Sequence, residues 1–135
     1  MSEAEKSFSL EMAVRDYECD LQGVVNNAVY QNYLEHARHE YLKSLGIDFA
    51  ALAAQKINLV VVRVEIDYKL SLTSGDRFTV EVCPEQLTPV RVGFRQTIRR
   101  LPDGKVVIQA LVTGTALSER GRPQALPQLA AHLGG

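Results

Sequence analysis

The residues best suited to chemistry crowd into one stretch, VRDYECDLQGVVNNAVYQNYLEHARHEYL, from Val14 to Leu42. Asp20 stands seven residues ahead of Asn27, in a loop that also carries Gly23 and the apolar pair Val24-Val25. A carboxylate in partly apolar surroundings can act as a base or a nucleophile. A helix opening at Asn27 and Ala28 would present unpaired backbone N–H groups and a positive dipole end, which together stabilise a developing oxyanion. A loop that folds back would bring the two halves together. A second reading stands beside this one, in which Asp20 only caps a turn with Gly23.

The remaining polar candidates are less pointed. His36 and His39 have a spacing that can hold a metal, but they fall on the polar side of the helix and no third ligand is visible. Glu35 and Arg38 are spaced for a surface ion pair. Arg91, Arg95, Arg99 and Arg100 punctuate one strand, either as a solvated face or as a landing place for the phosphates of a carried substrate. Cys19 has no His or Lys neighbour to activate it, so packing is its expected role. There is no Gly-rich phosphate loop, no Cys/His metal cluster and no Gly-x-Ser-x-Gly elbow.

Those residues need elements to hold them. Phe8, Leu10, Met12 and Val14 alternate with polar or small residues and predict a first strand. Val29, Tyr30, Tyr33, Leu34, Ala37, Tyr41, Leu42 and Leu45 recur at steps of three and four, which predicts a long helix with a broad apolar stripe. Asn26 or Asn27 is its expected N-cap and Gly46 its stop. A short helical piece follows over 48–55. Four strands complete the chain: the long alternation from Val60 to Leu70, a strand through Phe78–Val82, one through Val90–Ile98, and Val106–Leu117. TSGD at 73–76 and PDG at 102–104 are turn signals, so consecutive strands are expected to be antiparallel neighbours. This is an α+β layout, a five-stranded antiparallel sheet around one long helix, with edges that ask for a partner subunit.

At 135 residues and 46% hydrophobic content, the chain suits one domain over 1–135, with a core of about 7–117. A loosely attached tail over 118–135 is expected to hold a helical turn near 127–133. A formal net charge of −1 offers no basic field for nucleic acid or an anionic membrane. No apolar run is long enough to span a bilayer. The N-terminus lacks the marks of a secretory signal, and the two cysteines suit reduced thiols, so a cytoplasmic location is expected.

The segment from Tyr17 to Leu42 resembles the active-site segment of the 4-hydroxybenzoyl-CoA thioesterase family, within the hotdog-fold superfamily. The shared pattern is Tyr17, Asp20, Gly23-Val24-Val25, then Ala28-Tyr30 or Asn32-Tyr33, with Glu35 and Arg38 further on. The wording GVVNNAVY is especially similar to plant-type acyl-carrier-protein thioesterases and their bacterial relatives. The resemblance covers about residues 7–117 and implies the hotdog fold. It also implies dimers that join their sheets and often pair into tetramers, with active sites at the dimer interface.

The resemblance implies thioester hydrolysis on an acyl-CoA or an acyl-carrier-protein substrate. Asp20 matches the family's nucleophile or general base, and the backbone N–H of Asn27 its oxyanion donor. Bacterial members often carry His where this chain has Asn27, but a backbone donor does not depend on the side chain. Gly23, Val24, Val25, Ala28, Tyr30, Val60 and Val61 are expected around the acyl thioester, and Arg91 near the carrier's phosphates. No metal or cofactor is expected, because a thiolate is already a good leaving group. Two alternatives remain: an acyl-thioester-binding module without catalysis, and a hotdog dehydratase, which usually uses a His that this loop lacks.

Overall fold

The computed structural model describes residues 7–126 and Leu129. In chain order these residues form β1 (Phe8–Ala13), a 3₁₀ turn (Asp16–Glu18), α1 (Asn27–Ser44), α2 (Phe49–Ala54), β2 (Asn58–Tyr68), β3 (Arg77–Gln86), β4 (Arg91–Arg100), β5 (Val106–Leu117) and β6 (Pro123–Gln124). The strands make one antiparallel sheet in the order β1-β3-β4-β5-β2, with β6 also paired to β5. The layout is the expected α+β one, with the two-residue β6 added. None of the described helices is long and apolar enough to cross a membrane.

The apolar stripe of α1 explains where the helix lies. Tyr30, Tyr33, Leu34, Ala37, Tyr41 and Leu42 are all buried, in one core cluster with Phe78, Val80 and Val82 of β3 and with Ile98, Ile108 and Val112 further along the sheet. Tyr33 packs on Phe78 with ring centroids 4.7 Å apart. Each such large side chain taken from water contributes about 1.5–3 kcal/mol. The most deeply buried polar side chain among the described residues is satisfied. Buried Gln96 donates to the Leu34 carbonyl at 3.0 Å and accepts from Arg38 Nη1 at 3.1 Å.

Three features depart from the sequence expectations. First, β2 and β3 are not neighbours. Among the described residues β2 pairs only with β5 and forms an edge, while β3 lies between β1 and β4. The turn at 73–76 belongs to a longer link across the start of α1: Leu72 N donates to Tyr30 Oη at 2.9 Å, and Val25 N donates to the Leu72 carbonyl at 2.9 Å.

Second, β2 does not keep one alternation. The register slips between Val61 and Arg63 against β5. Residues opposite the helix-facing side chains of β5 are Leu59 and Val61 before the slip, and Val64, Ile66 and Tyr68 after it. One extra residue, Val62, swaps the faces, as a β-bulge does.

Third, the tail is docked rather than loose as far as it is described. β6 pairs Gln124 with Ala116 and Pro123 with Leu117, and Leu126 and Leu129 are buried. Apart from Leu129, the helical turn expected over 127–133 and His132 lie outside the described residues.

Candidate active site

The loop before α1 is a small hairpin. Cys19 bridges Val25, Asn26 N donates to the Glu18 carbonyl at 3.1 Å, and Asp20 N donates to the Val24 carbonyl at 2.9 Å. Leu21, Gln22 and Gly23 make the tip, closed by Gly23 N donating to the Asp20 carbonyl at 3.0 Å. Gly23 has φ +80°, a left-handed conformation that glycine adopts without a Cβ penalty. Asp20 Oδ1 accepts from Gln22 N at 2.8 Å and from Val24 N at 3.4 Å. The turn-capping reading of Asp20 is therefore realised by one oxygen. Among the described residues Oδ2 has no partner, and the side chain is exposed.

The arms of this hairpin end at the start of α1. Asn26 is the N-cap, its Oδ1 accepting from Ala28 N at 3.0 Å and its carbonyl from Val29 N at 2.9 Å. Ala28 N is thus engaged, while Asn27 N has no partner among the described residues and sits at the positive end of an 18-residue helix. Asp20 lies two residues along the hairpin from the Glu18–Asn26 contact. That places its Cα on the order of 9 Å from the helix start.

Glu18 holds this assembly in place, a role the sequence did not reveal. It is buried, and its Oε1 accepts from Arg15 N and from Tyr33 Oη, both at 2.8 Å. Burial, reinforced by the Glu18 charge, pushes the Tyr33 phenol well above the usual tyrosine range. The only local signal was an acidic residue between Asp16 and Asp20, which reads as solvated. Cys19 is half-buried, and desolvation with the Asp16 and Asp20 charges raises its thiol, so it is not an activated thiolate.

The other sequence candidates divide. Gly23, Val24 and Val25 shape the hairpin, and Val24 bridges Thr73 while Val25 is buried. Tyr30 is 2% exposed with its hydroxyl on Leu72 N, so it is a core strut at the base of the loop. Glu35 does not pair with Arg38; it lies 3.9 Å from His39 Nε2, and Arg38 turns inward to Gln96. Arg95, Arg99 and Arg100 are paired with Glu81, Glu85 or Asp103, leaving Arg91 exposed with no carboxylate partner among the described residues. Among the described residues no group of three or more His, Cys, Asp or Glu could hold a metal ion.

Val60 and Val61 border a separate feature, a cavity of about 240 Å³ between α1, α2 and the sheet. Leu42, Phe49, Leu59, Val92, Phe94 and Leu126 form its apolar wall, and Glu35, His39 and Gln86 also border it. It does not reach Asp20 of the same chain, since the residues of α1 that line it begin at Glu35.

Comparison with known proteins places this architecture. The fold matches Slr0204, a 1,4-dihydroxy-2-naphthoyl-CoA thioesterase from Synechocystis, with a TM-score of 0.87 over 94% of this chain and 95% of that one, at 18% identity. The long helix wrapped by a curled antiparallel sheet is the hotdog fold. A model of the Thioesterase-like superfamily matches residues 14–132, and the chain belongs to that family. It is 38% identical over 118 residues to the acyl-acyl carrier protein thioesterase ATL2, chloroplastic, of Arabidopsis thaliana. That match covers 87% of this chain, which spans only 63% of the length of the plant relative. It is 34% identical over 103 residues to the long-chain acyl-CoA thioesterase FadM of Escherichia coli, covering 76% of this chain and 77% of FadM.

Proposed function

We propose that the protein hydrolyses an acyl thioester of coenzyme A or acyl carrier protein to the free acid and thiol. The observation that carries this reading is the hairpin before α1, which carries Asp20 with its Oδ2 open and ends at the unpaired Asn27 N–H, in a chain of the thioesterase-like family. The relatives named for acyl-carrier-protein and acyl-CoA substrates support both carriers. The thioester carbonyl accepts from Asn27 N–H, which stabilises the negative charge that grows on its oxygen during attack. Asp20 either attacks the carbonyl carbon, giving a mixed anhydride that water then opens, or takes a proton from an attacking water. The carbon–sulfur bond breaks and the thiolate leaves without help from a metal. Ala28 flanks the donor, and Arg91, next to the cavity-lining Val90 and Val92, meets the carrier's phosphates.

The site is completed by a second copy. β2 is an eleven-residue edge strand whose Val61, Val62, Val64 and Tyr68 are 40–48% exposed. An apolar edge of this length is a template for another strand. Antiparallel pairing of two β2 strands about a two-fold axis sets the Asn58 end of one against the Tyr68 end of the other. Tyr68 packs on Tyr30 at 5.9 Å, beneath the Asp20 hairpin. The cavity beside Val60 and Val61 of one protomer therefore comes next to the hairpin of its partner. Cys19 and Cys83 are thiols rather than a disulfide, which fits a reducing compartment, and we place the activity in the cytoplasm.

Thiol release from a panel of acyl-CoA and acyl-carrier-protein thioesters, followed with a chromogenic disulfide, tests the reading. Turnover of at least one panel member is expected. No release from any of them would contradict hydrolysis and leave an acyl-thioester-binding module.

A further inference from the structure

The cavity defines which acyl group the site takes, an inference that rests on the thioester reading above. Its volume of about 240 Å³ holds roughly eight methylene-sized groups, each near the share of a liquid water. Its direction follows from the sheet. On one side of β5 lies β2 with its open edge; on the other lie β4 and, beyond Arg91, β6. The residue after β6 leads into Leu126, which is 7% exposed and lines the cavity opposite β2. From β2 to β6 is two strand spacings, about 10 Å, close to the length of an extended eight-carbon chain. Volume and span agree although they come from different observations.

The lining favours a plain alkyl chain. Arg38 and Thr115 among its polar members are engaged: Arg38 donates to Gln96, and Thr115 Oγ1 donates to the Val90 carbonyl. A ring bearing hydroxyl groups would find few donors or acceptors inside. The closing wall is held from both ends of its turn. Ser118 N donates to the Arg122 carbonyl at 2.9 Å, and Lys56 Nζ meets Glu119 at 3.0 Å.

We propose that this cavity takes a saturated acyl chain of medium length, about eight carbons, and that Leu126 sets the length limit. The test is kcat/KM over even-numbered saturated acyl-CoA thioesters from four to sixteen carbons, for the wild type, Leu126→Ala and Leu126→Trp. The wild-type optimum is expected near eight carbons, with a fall of about ten-fold or more by sixteen. Leu126→Ala moves the optimum up by about two carbons and Leu126→Trp moves it down, because the side-chain volume at the closed end sets the space left for methylenes. Ratios between chain lengths within one preparation are unaffected by any misfolded fraction. An optimum at four or at sixteen carbons in the wild type, or the same profile in all three proteins, would overturn the proposal. If no thioester is turned over, hydrolysis fails as a reading, and saturable binding of the octyl thioether of coenzyme A decides the cavity separately. Binding weakened by Leu126→Trp supports it, and no binding, or equal binding by all three, overturns it.

Discussion

Glu18 fixes the hairpin that carries Asp20 through its side chain, which accepts from Arg15 N and Tyr33 Oη, and through its carbonyl, which accepts from Asn26 N. Removing the phenol leaves a buried carboxylate short of a donor. Tyr33→Phe is therefore expected to lower stability by about 1–3 kcal/mol, read in a urea melt. It should also lower kcat more than it changes KM, because the hairpin loosens while the acyl cavity is untouched. A variant with wild-type kcat would show that the tether does not position Asp20. That Asp20 sits in a loop leading into a helix start was legible from its neighbours; its catalytic role is the proposal above. Glu18 was not, because its partner is fifteen residues away and fell on the apolar stripe, where Tyr33 reads as core alone. Tyr30 carries a second role that the sequence did not show: its hydroxyl accepts from Leu72 N, which ties the link after β2 to the start of α1.

At the scale of elements, the start of α1 and the edge β2 do most of the positioning. The cap on α1 was readable because Asn has one dominant use before an apolar periodic run. Asn26→Ala should destabilise the protein by about 1 kcal/mol and free Ala28 N as a second unpaired donor, measured as a shift in the denaturation midpoint. The β4–β5 hairpin followed from its PDG turn at 102–104. The placement of β2 did not, because a turn signal at 73–76 reports a change of direction and not which strand lies next door. The bulge at Val62 left no mark either, since Val60, Val61, Val62 and Val64 are alike and either phase looks apolar. If β2 is the subunit interface, Val62→Lys with Val64→Lys places charges along the open edge. Light scattering should then report a loss of dimer together with a loss of thioester cleavage. A double variant that stays dimeric and active would place the interface elsewhere.

For the whole molecule, buried phenols set an alkaline limit. Burial pushes Tyr30, Tyr33 and Tyr41 above their ordinary range, and for Tyr33 the Glu18 bond and charge add to it. In the unfolded chain these phenols ionise near pH 10 (about), so above that point the unfolded state holds fewer protons than the folded one. Stability is fully present below about pH 10 and falls as pH rises beyond it. Urea midpoints measured on either side of that value should show the fall, and Tyr33→Phe should show a shallower one. Pairing of two β2 edges, as proposed above, would divide catalysis between copies, with the hairpin of one protomer served by the cavity of its partner. The most direct measurement is turnover of a medium-chain acyl-CoA by Asp20→Asn, whose amide keeps the hairpin's bonds at Oδ1 but cannot act as nucleophile or base. A fall in kcat of at least about a hundred-fold is expected, with binding of a non-hydrolysable thioether analogue retained. Turnover at the wild-type rate would contradict the role of Asp20 and the mechanism built on it.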